Sequence, residues 1–231
     1  MPHPAPGWID RLPRNRLIAE YSMWSADLIR LAGDIDRIAP HADILHIDVA
    51  DGVFAPAFLF FPDLVARLRA ATAIPLHVHL MVVDAVLLPQ IGQFAEAGAD
   101  LISLHVENAA VADAALDLIG RLGLKSGMVL RVETPVATVL PWLGRLDFLT
   151  LLGTAIGVKG QGLDPSATAR LTEAAGLIEA SGRRIVLAAD GGIRDTTVPL
   201  LRAAGAETVV LGSLAFGAAD LGERMRWLHG L

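Results

Sequence analysis

The sequence predicts a single (β/α)8 barrel, and three observations carry that prediction. Short runs rich in Val, Ile and Leu alternate with longer stretches of helical period along the whole chain. Successive strands begin roughly 25–30 residues apart, the size of one βα unit. Hydrophobic residues make up 53% of the 231 residues and mean hydropathy is +0.51, as expected for parallel strands buried on both faces.

The first strand, at 17–22, ends on Tyr21-Ser22 and leads into a helical stretch at 26–39. The second, at 44–49, reads Ile-Leu-His-Ile-Asp-Val. Side chains two apart in a strand share a face, so His46 and Asp48 point together. The third, at 76–82, pairs His77 with His79 in the same way, and a helix at 85–97 follows, stopped by Gly98. The fourth, at 101–106, carries Ser103 and His105, with Glu107 just beyond; its helix at 110–122 stops at Gly123. The fifth, at 126–132, ends on Arg131-Val132. The sixth, at 148–153, opens into Gly157-Val158-Lys159-Gly160-Gln161-Gly162 before a helix at 166–180. The seventh, at 185–189, stops abruptly at Asp190-Gly191-Gly192. The eighth, at 208–211, runs into Gly212-Ser213. An open doubly wound sheet is the competing architecture, but eight strands in strict alternation with helices favour closure. Residues 1–15 read as an extension outside the barrel, with covering its bottom as the alternative, and 16–231 as the barrel itself.

Composition excludes several classes. Every apolar run is cut by a charge, Gly or Pro before it could span a bilayer, so no membrane partner is expected. Net charge is −6 with no basic tract, which argues against nucleic acid. There are no cysteines, hence no disulfides and no thiolate metal site. The Pro- and Arg-rich start lacks the apolar stretch of a signal peptide, which leaves the cytoplasm as the default location.

Ligand chemistry in a closed parallel barrel collects at the C-terminal ends of the strands. A single His or Asp there usually caps a loop. Two imidazoles and two carboxylates aimed into one barrel mouth are different, because they repel or stay desolvated unless something neutralises them. One divalent cation does so. His46, Asp48, His79 and Asp190 offer two nitrogens and two oxygens from three strands, a set suited to Zn, Mn, Fe or Co. Gly-rich turns after the last three strands add an anion site, since backbone N–H groups in such turns bind phosphate. Gly157, Gly160, Gly191, Gly192, Gly212 and Ser213 belong to it. Lys159, one of only two lysines in the chain, lies inside the first of these turns.

In ordered combination these residues resemble the ribulose-phosphate 3-epimerase family over nearly the whole chain, from Ser22 to about Phe216. The resemblance is carried by Ser22-Met23-Trp24-Ser25-Ala26-Asp27, His46-Ile47-Asp48-Val49-Ala50-Asp51-Gly52, His79-Leu80-Met81-Val82, Ala97-Gly98-Ala99-Asp100, His105-Val106-Glu107, Gly160-Gln161, Asp190-Gly191-Gly192 and Gly212-Ser213. It implies a TIM barrel of the ribulose-phosphate-binding type, with one divalent metal held by His46, Asp48, His79 and Asp190. It implies further that Asp48 and Asp190 double as catalytic base and acid, epimerising C3 of a ketose phosphate by two-base proton transfer through an enediolate. Ser22 and Met81 would join the glycine turns and Lys159 in binding substrate, and a homo-oligomer is expected.

Departures from the family pattern gather around the substrate. The family's Met-Asp-Gly is Ala50-Asp51-Gly52 here, and its Val-Pro-Asn is Ala55-Pro56-Ala57. The polar residue two before the metal-binding His, usually Asp, is His77. An Asn-Pro is replaced by Arg131-Val132, the sixth-strand Met by Leu152, and the following loop reads Ile156-Gly157-Val158-Lys159-Gly160-Gln161. His77 and Arg131 are therefore expected to bear on specificity, and Arg131 is equally open to plain pairing with Glu107 or Glu133. Three rivals remain. A Schiff-base aldolase would have to use Lys159. A metal-free decarboxylase of the orotidine type would need a strand lysine between carboxylates. A sugar-phosphate-binding paralogue would have no activity.

Overall fold

The computed structural model describes residues 2–231 and closes eight parallel strands into one barrel, each hydrogen-bonded to its sequence neighbours and the last to the first. The order is β1 (Ile18–Ser22), α1 (Leu31–Ile38), β2 (Ile44–Ala50), α2 (Pro62–Ala71), β3 (Leu76–Met81), α3 (Asp84–Glu96), β4 (Leu101–His105) and α4 (Ala112–Arg121). It continues with β5 (Lys125–Leu130), α5 (Leu140–Leu143), β6 (Phe148–Leu152), α6 (Ala167–Ser181), β7 (Val186–Asp190), α7 (Val198–Ala203), β8 (Thr208–Leu211), α8 (Ser213–Phe216) and α9 (Leu221–His229). Every strand read from the sequence is present, with small shifts at the ends. One helix differs. The stretch expected to be helical from residue 26 becomes so only at Leu31, because Asp27 turns the chain first. Its carboxylate accepts from Ile29 N–H, and its own N–H donates to Asp34 Oδ2 at 2.7 Å. A local side-chain bond of this kind competes with the helical ladder.

Alternation along the strands sorts two interiors. Ala19, Tyr21, Leu45, Ile47, Val78, Leu80, Ile102 and Leu104 point outward and pack beneath the helices in the main apolar core. The inward set forms layers. At the bottom, Ile18, Ile44, Leu101, Phe148, Val186 and Ala188 make a separate apolar cluster, closed from below by Ile9 and Leu12 of the leading segment. Above it lie Glu20, His46, His77, Ser103, Thr150 and Thr208, all fully buried. Barrel cores ordinarily hold Val, Ile and Leu at such positions. This one is polar through its middle.

Four acidic residues brace the bottom rim in a repeated way. Each immediately precedes an even-numbered strand and accepts a backbone N–H from the strand before it. Asp43 takes Ala19 N–H at 2.8 Å, Asp100 takes Leu76 N–H at 2.8 Å, Asp147 takes Ser126 N–H at 3.0 Å and Glu207 takes Leu187 N–H at 3.4 Å. A cation partners each one: Arg16, Arg69, Lys125 and Arg184 in turn. Arg69 is the one wholly buried member, and its guanidinium also donates to the carbonyls of Thr72 and Ile74.

Unequal burial makes the four clamps unequal in worth. Asp100→Ala strands a buried guanidinium and is expected to lower stability by about 3 kcal/mol or more. Asp147→Ala, which frees a partly exposed lysine, is expected to cost about 1 kcal/mol or less from the ion pair. Urea denaturation of both variants checks the ranking, and equal midpoints would contradict it.

Candidate active site

The neighbouring strands β2 and β3 bring their polar residues level, with His46 beside His77 and Asp48 beside His79. Four ligating atoms converge as a result. His46 Nε2 lies 3.1 Å from Asp48 Oδ1, 3.4 Å from His79 Nδ1 and 4.0 Å from Asp190 Oδ2; His79 Nδ1 lies 3.3 Å from Asp48 Oδ1. A tetrahedral ion bonded at roughly 2.0–2.2 Å keeps its donors about 3.4 Å apart. The spacing and the mixed nitrogen and oxygen donors therefore fit a divalent cation of the transition series.

Asp48 and His79 are each held from behind. Ser22 donates its hydroxyl to Asp48 Oδ2 at 3.0 Å, leaving Oδ1 toward the cluster. His79 presents its far nitrogen, Nε2, to His105 Nε2 at 2.8 Å, and His105 Nδ1 meets Glu107 Oε2 at 3.0 Å. Glu107 is fixed in turn by the Thr134 hydroxyl and by Arg131 N–H. An ionised Glu107 forces the proton of neutral His105 onto Nδ1, so His105 Nε2 accepts from His79 Nε2–H and His79 Nδ1 is left bare for a metal.

The two aspartates are driven apart electrostatically. Burial would raise Asp48, but His46 and His79 outweigh it and hold its carboxyl well below the ordinary carboxylate range. Asp190 at the end of β7 has weaker help. Burial pushes it up to about 6, with the charge of Asp48 adding to the rise and His46 and His79 opposing it. His46 is raised despite burial, because Asp48 and Glu20 both favour its charged form. Burial lowers His77 and His105 to about 4. Glu20 and Glu107 fall to about 2, since their imidazole neighbours overcome the burial that would raise them.

Above the ligands opens a cavity of about 610 Å³. Asp48, His79 and Asp190 reach its floor, while His46 lies behind them. Ser22, Met81, Gly157, Lys159, Gly160, Gly191, Gly192, Gly212 and Ser213 all line it. The turn after β7 is tight. Gly191 and Gly192 both have positive φ, and a Cβ on Gly192 would fall 2.7 Å from Leu163 Cα. Lys159 is exposed at the rim, donates to the Trp24 carbonyl at 2.6 Å and sits 4.4 Å over the Trp24 ring.

His77 and Arg131 do not reach the cavity wall. His77 is buried one layer below, and Arg131 forms no ion pair with Glu107 or Glu133 among the described residues. Its guanidinium stacks on Phe54 at 4.1 Å and donates to the Phe54 carbonyl at 2.9 Å. The stretch between β2 and α2 is thereby pinned beside the mouth, with Phe54 against His105 and Pro56 close to Gly157. Glu20, Trp24, Thr154 and Arg194 were not singled out from the sequence, although the last three line the cavity. Glu20 carried a usable signal, since it shares a face with Ser22 two residues on.

A family model described as the ribulose-phosphate 3 epimerase family matches residues 18–216. Ribulose-phosphate 3-epimerase 1 of Cupriavidus necator is 37% identical over 206 residues, covering 86% of this chain and 84% of its own. The ribulose-phosphate 3-epimerases of Bacillus subtilis and Escherichia coli K12 are 33% and 35% identical, covering 90% and 86% of this chain and 96% and 88% of their own. Among solved structures, 3-hexulose-6-phosphate synthase from Salmonella typhimurium superposes with a TM-score of 0.70 at 15% identity, covering 93% of this chain and 97% of that one, a likeness of fold. No helix among the described residues is long and apolar enough to cross a membrane.

These ionisations set the acid response of the metal-free protein. Between about pH 6 and 4 the unfolded chain protonates His77 and His105, which the fold keeps neutral. Asp190 opposes them with one proton held only in the fold. Two against one means the unfolded chain binds more protons, so stability falls as pH falls through this window. Below the ordinary glutamate value of 4.5, Glu20 and Glu107 add to the loss because the fold keeps them ionised. Urea midpoints of chelator-treated protein are expected to drop as the pH is lowered from 6; a rise below pH 6 would contradict these assignments.

Proposed function

The chain belongs to the ribulose-phosphate 3-epimerase family, and from that premise we propose that it is a metal-dependent 3-epimerase of a ketose phosphate. Ribulose 5-phosphate and xylulose 5-phosphate, or a closely related pair, would be interconverted. The observation that carries this reading is the meeting of two carboxylates and two imidazoles at the base of one cavity, three of them on its floor, with their donor atoms spaced for a single cation.

Epimerising the carbon beside a ketone takes a proton from one face and returns one to the other, through a planar enediolate. Asp48, kept ionised by its imidazole neighbours and oriented by Ser22, suits the role of base. Asp190, whose carboxyl burial and the charge of Asp48 raise before a metal binds, is the opposing group and suits the role of acid. Pairs of carboxylates pushed in opposite directions are how one site performs both halves of a proton exchange. In the reverse direction the two exchange roles. A bound Zn, Mn, Fe or Co ion held by His46, Asp48, His79 and Asp190 would supply Lewis-acid stabilisation of the charge on the substrate oxygens.

The substrate's phosphate would lie on the backbone N–H groups of Gly191, Gly192, Gly212 and Ser213, with Lys159 moving from the Trp24 carbonyl to meet it. Met81 and Leu152 would flank the carbon chain. The stretch between β2 and α2, pinned by Arg131 beside the mouth, would help to exclude water from the enediolate. Arg131 would thus bear on substrate choice only through Phe54. The exposed position of Lys159 gives no support to a Schiff-base aldolase, which needs its lysine desolvated on the barrel wall.

Asp190→Asn is expected to lower kcat by roughly 10²–10⁴, with metal content measured alongside to separate proton transfer from ligation. Activity retained within a few-fold would remove Asp190 from the chemistry. Comparing kcat/KM for ribulose 5-phosphate with tetrulose and hexulose phosphates locates the true substrate. Turnover of none of them by metal-loaded protein would favour a binding paralogue instead.

A further inference from the structure

Beneath the four ligands lies a second group of buried polar side chains that the proton exchange does not use. Glu20, on β1, is wholly inside the barrel. Its Oε1 is 2.7 Å from His46 Nδ1 and 2.6 Å from His77 Nδ1, and its Oε2 is 3.5 Å from the Thr208 hydroxyl. His77 Nε2 is 2.7 Å from Ser103 Oγ.

Proton accounting gives this group one orientation. An ionised carboxylate only accepts, so both imidazoles must present Nδ1–H to Glu20. Neutral His77 then has a bare Nε2, which accepts the Ser103 hydroxyl proton. His46 has its Nε2 among Asp48, His79 and Asp190, the atom that a metal would need unprotonated. With Nδ1–H committed to Glu20, the lone pair of neutral His46 falls on Nε2, where it is wanted.

Two other uses of the cluster fit less well. Glu20, His46 and His77 could themselves surround a cation. That would strip Nδ1 of its proton while Nε2 served the site above, making His46 a bridging imidazolate. A purely structural role is also weak, because a buried charged network seldom stabilises a fold more than apolar residues of the same shape would.

We propose that Glu20 is a positioning residue of the metal centre, fixing His46 in the tautomer that ligates through Nε2, with His77 and Ser103 holding the carboxylate in place. The proposal rests on the metal-dependent reading of the site above. It also gives His77 a role, as the second imidazole that holds the Glu20 carboxylate supplied from the first strand.

Cobalt(II) binding to wild-type and Glu20→Gln protein tests it. The variant keeps the size of the side chain and an acceptor oxygen but removes the charge. Its Co²⁺ affinity is expected to fall about 10–100-fold, with altered visible absorption of the bound ion, in a variant that still folds but whose metal-free urea midpoint is lowered by loss of the buried ion pair. Ring ¹⁵N shifts of wild-type protein loaded with Zn²⁺ should show His46 protonated at Nδ1 and metal-bound at Nε2, a result that does not depend on the variant folding. Unchanged Co²⁺ affinity in folded Glu20→Gln, His46 bound through Nδ1, or two ions per chain would each overturn the proposal. Wild-type protein that takes up no Co²⁺ overturns the metal-dependent reading as well, so the two failures are distinguishable.

Discussion

Two aspartates and two histidines share one desolvated point at the mouth of this barrel, and much of the interior can be understood as making that tolerable. A carboxylate removed from water without compensation is destabilised by several kcal/mol. Here compensation is arranged in depth. Asp48 leans on Ser22, His79 on His105 and Glu107, and His46 on Glu20 and, through it, His77 and Ser103. The chains of donors and acceptors run downward and sideways into the barrel, which is why its middle layer is polar where Val or Leu would normally pack.

An interior of that kind contributes little hydrophobic stabilisation, so the fold draws it from elsewhere. The outward faces of the strands are almost wholly aliphatic and are buried beneath the helices. Below the polar layer, an apolar floor is sealed by Ile9 and Leu12. Four acid–base clamps stitch neighbouring strands in pairs at the bottom rim, away from the site. The loops at the top are left free for chemistry. The stretch pinned by Arg131 and the rim carrying Lys159 lie beside the cavity, on loops that follow different strands.

Much of this was legible in the sequence, and for physical reasons. Buried parallel strands are continuous aliphatic runs, and period-two alternation places His46 with Asp48 and His77 with His79 before any coordinates are known. Asp190 stood out because an aliphatic run stopped at a carboxylate followed by two glycines. Long-range partnership was not legible. Whether Glu20 faces a helix or the barrel interior follows from its parity with Ser22, but that it meets His46 depends on the stagger between strands. His77 and Arg131 carried charge or polarity at positions that looked close to substrate. Depth along the strand puts His77 one layer too low, and Phe54 captures Arg131 before it reaches the cavity. The helix expected from residue 26 was delayed by the Asp27 turn, a competition between a side chain and the backbone that periodicity does not register.

The most direct test of the central claim is proton NMR of metal-loaded protein with D-ribulose 5-phosphate in D₂O, following the C3 proton. Its replacement by deuterium, together with the appearance of xylulose 5-phosphate, is the result expected if Asp48 and Asp190 exchange protons across that carbon. A protein that binds its metal and this substrate yet leaves the C3 proton in place would contradict it.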